Sequence, residues 1–148
     1  MYKRILVATD GSNLSKKAVR AASDMAVALG AKIHIVRVVP RFVQAYLDSS
    51  YYMSTKNDIE KIEKYWEQKA QKSLDALIKS VISKDIEVKT SVVKSFLVSE
   101  AILKIAKKSN IDLIVMASHG RNGVKRLLLG SETLQVLTHS DIPVLVVR

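Results

Sequence analysis

Three of the chain's five glycines, Gly120, Gly123 and Gly130, fall within eleven residues, and the last is followed by Ser131. A glycine has no Cβ, so its backbone can come close to phosphate oxygens. The segment leaves the most apolar run of the chain, residues 111–116 (IDLIVM), and enters a helical pattern at Ser131. A helix start offers free N–H groups and the positive end of a dipole to an anion. Residues 117–131 also hold Arg121, Lys125 and Arg126 and no acid, so a polyanion meets a favourable potential there. Two glycines ten apart occur in any glycine-punctuated loop. The conjunction of buried strand, basic loop, Gly-Ser pair and helix start is more specific, and it points to phosphate binding.

The rest of the chain must hold that loop in place. Strand-like and helical periodicities alternate along it. Strands are expected at 4–9, 32–39, 86–93, 111–116 and 143–147, and helices at 12–29, 57–83, 97–109 and 131–139. In the first helix Ala18, Ala22, Met25, Ala26 and Leu29 recur at helical spacing, with Ser12 as N-cap and Gly30 as stop. The third strand alternates apolar and polar residues and reads as an edge, whereas the other four are nearly continuous apolar runs suited to a buried parallel sheet. This pattern implies a single α/β domain, with helices on both faces of a five-stranded parallel sheet and right-handed crossovers. Ligands of such sheets sit outside the carboxyl ends of the strands, near the topological switch point. Residues 40–56 are irregular and carry Phe42, Tyr46, Tyr51 and Tyr52, half of the aromatic residues. They read either as a loop folded back over the sheet or as a lid or partner surface.

Composition narrows the function classes. The 148 residues suit one domain, and 48% hydrophobic content supplies a core. With no cysteine there is no disulfide scaffold, and a reducing, cytoplasmic setting is expected. The apolar stretch after Met1-Tyr2-Lys3-Arg4 ends at Asp10, too short for a signal peptide, and no run reaches the ~20 apolar residues of a membrane helix. His34, His119 and His139 are far apart, which argues against a metal site built from protein ligands alone. A net charge of +10 favours an anionic partner, but between Lys56 and Lys84 lysines alternate with acids as on a solvated helix face. No clustered basic helix or aromatic platform marks a nucleic-acid binder.

At this point the residues resemble a known family. The spacing Gly120-x9-Gly130-Ser131 is similar to the G-x2-G-x9-G-(S/T) ATP-binding motif of universal stress proteins. The opening RILVATDGS resembles that family's first strand and turn, and DIPVLVV resembles its last strand. The resemblance runs along essentially the whole chain, and is weakest in 40–56 and 93–99. There are two departures. Ala117 stands where the motif has its first glycine, which would cost roughly 1 kcal/mol if the position needed φ > 0. Ser95-Phe96-Leu97-Val98 replaces the glycine-proline turn before the third helix.

The resemblance implies a three-layer sandwich with sheet order 3-2-1-4-5, and ATP bound with Mg²⁺ or Mn²⁺ on its phosphates. Ala8, Thr9 and Asp10 would flank adenine and ribose, Val38 and Met116 would wall the adenine, and Ala117 would lie by the ribose. Gly120, Gly130, Ser131 and the N–H of Glu132 would hold phosphates. On residue grounds alone Asp10 is equally an Asx-turn before the first helix. His119 is either a phosphate donor or a turn residue, and Arg121 is a further polar candidate. The functional expectation is a nucleotide-dependent regulatory switch, with a slow ATPase or nucleotidyl-transfer enzyme as the alternative. No G-x4-G-K-(S/T) loop is present to supply the lysine and hydroxyl of fast phosphoryl transfer. A homodimer through the apolar terminal strand, Val144, Leu145, Val146 and Val147, is also expected, because an unpaired apolar edge is normally covered.

Overall fold

The computed structural model describes residues 1–41, 56–82, 85–120 and 129–148. In chain order the elements are β1 (Arg4–Ala8), α1 (Asn13–Leu29), β2 (Lys32–Val39), α2 (Lys56–Val81), β3 (Val88–Lys94), α3 (Val98–Lys108), β4 (Leu113–Ala117), α4 (Ser131–His139) and β5 (Val144–Val147). The strands form one parallel sheet in the order β3-β2-β1-β4-β5. Side chains alternate across it, as the pleat requires. Ile5, Val7, Ile33, Ile35, Leu113 and Val115 pack against α1 and α2, with Ala18, Ala22, Ala26, Leu74 and Leu77. Leu6, Val36, Ile114 and Met116 face the other way and pack with Ile102, Ala106 and Val136 of α3 and α4.

Local signals account for most boundaries. Ser12 has extended backbone angles, and its hydroxyl accepts the N–H of Ser15, so α1 starts where the N-cap chemistry put it. Gly30 ends that helix at φ 62°, with Ala31 N donating to Ala26 O across the turn. β3 is an edge strand, half-buried along most of its length. β4 starts at Leu113 rather than at 111. The Asp112 carboxylate accepts the backbone N–H groups of Lys3 and Arg4 at 2.8 and 2.9 Å, so this stretch ties the start of β1 down instead of extending the strand. The tyrosines of the irregular segment, together with Phe42, lie outside the described residues.

Candidate functional site

The sheet order places β1 between β2 and β4, and the chain switches direction of travel there. A crevice of about 580 Å³ opens at the carboxyl ends of these three strands, within the usual size range for small-molecule sites. Every site residue read from the sequence lines it except Arg121, which lies outside the described residues. β1 brings Ala8, Thr9 and Asp10, β2 brings Val38, and β4 brings Met116 and Ala117. His119 and Gly120 follow β4, while Gly130, Ser131 and Glu132 form the start of α4. Sequence reasoning missed Ser15, Val36, Pro40, Val98, Ile102 and Thr133, which also line the crevice. Val98 and Ile102 stand four apart, a spacing that puts them on one apolar face of α3. That they border an opening depends on how α3 seats against β2, which no local spacing encodes.

The β1–α1 turn is locked by a hydroxyl relay. Ser15 Oγ donates to Ser12 O at 3.0 Å, so its contact with Thr9 Oγ1 at 2.9 Å takes the threonine hydrogen. Thr9 Oγ1 in turn accepts the N–H of Gly11, which sits at φ 81°. Both hydroxyls are thereby fixed in a buried position. Asp10 closes an Asx-turn, its Oδ1 accepting Ser12 N at 2.9 Å, and it also lines the crevice. A Cβ on Gly120 would lie 2.6 Å from Asp10 Oδ2. Glycine is therefore the residue that lets the two crevice walls meet at this point.

At the other wall, Gly130 is the N-cap of α4, with extended angles and no side-chain cap. Its own N–H donates to Ser118 O at 2.7 Å, and Thr133 Oγ1 donates to Ala117 O at 2.8 Å, so the helix start is riveted to the end of β4. A Cβ on Gly130 would lie 3.2 Å from His119 Cα and 3.4 Å from Ser118 O. Backbone approaches backbone here, and the first-turn N–H groups of α4 belong to residues that line the crevice. Ala117 is not among the described non-glycine residues with positive φ, so alanine replaces the motif glycine without backbone strain. His119 Nδ1 lies 3.1 Å from Ser118 Oγ. Glu132 is held by the neighbouring helix, its Oε2 accepting Ser99 N at 2.9 Å and so capping α3, which has no side-chain cap of its own. Its carboxylate points to α3 while its backbone belongs to the start of α4.

The model of the universal stress protein family matches residues 1–148. The chain belongs to the universal stress protein family. A universal stress protein of Methanocaldococcus jannaschii is 30% identical over 150 residues, covering 100% of this chain and 83% of its own. The solved structure of a second universal stress protein of that organism aligns with a TM-score of 0.82 at 27% identity, covering 99% of this chain and 96% of its own. The universal stress protein of Archaeoglobus fulgidus, solved in complex with dAMP, shares the fold at 19% identity and a TM-score of 0.68, covering 99% of this chain and 98% of its own. Among the described residues, no helix is long and apolar enough to cross a membrane.

Proposed function

We propose that this universal stress protein binds ATP in the crevice between the carboxyl ends of β1, β2 and β4, and acts as a nucleotide-dependent switch. One observation carries the reading: the uncapped start of α4 is drawn so close to the end of β4 that a Cβ at Gly130 would sit 3.2 Å from His119 Cα, tighter than an ordinary contact. Such a cradle presents N–H donors and a positive dipole end where glycine leaves the backbone open to an anion. The apolar walls, Val38, Met116, Val98 and Ile102, suit a base, and Thr9 and Asp10 lie on the side assigned to ribose. The relative in complex with dAMP supports an adenine nucleotide. Asp10 brings a carboxylate to the crevice, so Mg²⁺ or Mn²⁺ on the phosphates would offset its repulsion.

The switch reading rests on missing parts of a fast phosphoryl-transfer site. A positioned nucleophile and a base or water-orienting group are usual. Asp112 is engaged at the opposite end of β4, and the Glu132 carboxylate is turned to α3. Cradling of this kind stabilises bound ATP as much as a transition state, which gives affinity without rate. The output would be an altered surface for a partner protein. The chain is further proposed to work in the cytoplasm, as its cysteine-free sequence suits, and to dimerise through Val144, Leu145, Val146 and Val147 of the edge strand β5. The deciding experiment is a single-turnover assay with labelled ATP and excess protein. Bound ATP should persist for many minutes. Turnover near about 1 per second, within the ordinary range of kinases, and abolished by His119→Ala, would establish the slow-enzyme alternative instead.

A further inference from the structure

On the sheet face covered by α3 and α4, β2 carries His34, Val36 and Val38 in sequence. Val36 and Val38 line the nucleotide crevice, but His34 lines a second cavity, of about 450 Å³, at the amino ends of β1, β2 and β3. This cavity exists because α3 packs on β2 while the helix contacts of β3 come from α2 on the opposite face. Among the described residues, the outer part of the sheet is thus left without a helix on this side. Four cationic residues, Arg4, Lys32, Lys89 and Lys108, converge there from three strands and the end of α3. Only one acid accompanies them in the lining, Glu87, which pairs with Lys32 at 2.6 Å. The His34 ring is buried, at 5% exposure. Its Nε2 is 2.8 Å from Ser91 Oγ, and its Nδ1 is buried with no hydrogen-bond partner among the described residues.

We propose that this cavity is a second binding site, for a small multivalent oxyanion of phosphate chemistry. Set against Glu87 in the lining and Asp112 beside Arg4, the four cations still leave an excess of positive charge in a concave site, the arrangement that concentrates anions. An imidazole Nδ1 left without a partner is rare in a buried position. If the Ser91 hydroxyl donates to Nε2, Nδ1 carries the hydrogen, and an oxyanion that displaces the side chains over the buried ring would supply the acceptor it lacks. The ring takes a proton less readily than an ordinary histidine, because burial and then the Lys89 charge oppose it. It therefore serves as a neutral donor rather than as a fifth cation. Val93, Ile105 and Ile111 supply apolar wall beside the cations, room for the carbon part of an organic phosphate as well as for an inorganic one.

The test uses the full chain carrying Gly130→Asp, which closes the first crevice to phosphate, with inorganic pyrophosphate and, separately, glycerol 3-phosphate as probes. Binding is followed by calorimetry and by the imidazole ¹⁵N resonances. At least one probe should bind and shift the His34 signals, and the probe that binds more tightly identifies whether an inorganic or an organic source fits. The Lys89→Gln, Lys108→Gln double variant, which changes exposed side chains only, should weaken binding by about tenfold. A double variant of equal charge on the exposed face of α2, Lys64→Gln, Lys72→Gln, should leave it within about twofold. Three results would overturn the proposal: no shift of His34 at millimolar probe, equal loss in both double variants, or a His34 response to duplex DNA with none to either probe. The last would make this face part of a nucleic-acid surface.

Discussion

Gly130 and Gly120 do different work although both are glycines of one loop. At Gly130 the obstacle to a side chain is backbone, which cannot swing aside, whereas at Gly120 it is the tip of Asp10, which can. Gly130→Asp should therefore abolish ATP binding, by bulk and by charge at the helix start, while Gly120→Ala should weaken it by about tenfold or less. Calorimetry on the two variants checks the ranking, and equal affinity of wild type and Gly130→Asp would remove the nucleotide reading. His34 gives a second expectation. Its pKa lies below the ordinary 6.5 because the buried ring loses hydration and faces Lys89. As pH falls through 6.5 the unfolded chain takes up a proton that the folded ring resists. The unfolded state then binds more protons, so stability is fully present above 6.5 and declines below it. Urea unfolding in phosphate-free buffer at about pH 7.5 and about pH 5.5 should show a smaller drop for His34→Gln than for wild type.

At the scale of elements, the helix starts carry the information. Ser12→Ala removes the acceptor for Ser15 N and should cost about 1 kcal/mol. Ser15 also anchors the Thr9 hydroxyl, so the loss should be accompanied by weaker nucleotide binding. Glu132→Ala uncaps a helix other than its own and should cost about 1 kcal/mol, with Glu132→Gln recovering part of it. Thermal melts of the two variants test this, and equal melting of both with wild type would mean that the bond to Ser99 is worthless. The Ser12 cap, the Gly30 stop and the Gly130-Ser131 start were legible in sequence because each depends on residues within a few positions. The alternation in β3 likewise announced an edge. Glu132 capping Ser99 spans 33 residues, and Thr133 holding Ala117 O spans 16. Neither leaves a local trace, since any polar side chain near a helix start looks the same before the helices are docked. Leu74, a fully buried residue of α2, stands at helical spacing from the buried Ala70 and Leu77, a pattern the sequence does carry. The motif alanine worked the other way. Sequence raised the cost of a positive φ at Ala117, and the strand geometry removes it.

For the whole molecule, the sheet has two unlike edges. β3 is long, and its end is tied to α2 by Lys94 with Glu63 at 3.3 Å. β5 has four residues, with Leu145 at 38% exposure, and Leu134 and Leu137 of α4 are exposed as well. We therefore expect light scattering at micromolar concentration to give twice the chain mass, and Leu145→Glu to give the monomer. A monomeric wild type would contradict the β5 interface. The strand order also has a consequence for how the chain emerges from the ribosome. β1, β2 and β3, with α1 and α2, are complete once residue 94 has been made, and one face of that half-sheet can close at once. Among the described elements the opposite face has no helix until α3, and its central neighbour β4 comes still later. A nascent chain halted between the two halves would hold Leu6 and Val36 open to water, together with the backbone edge of β1. Synthesis runs at about 5–20 residues per second, so this interval lasts seconds. During it the newborn protein is a natural client for chaperones, and a pause there would favour aggregation over folding.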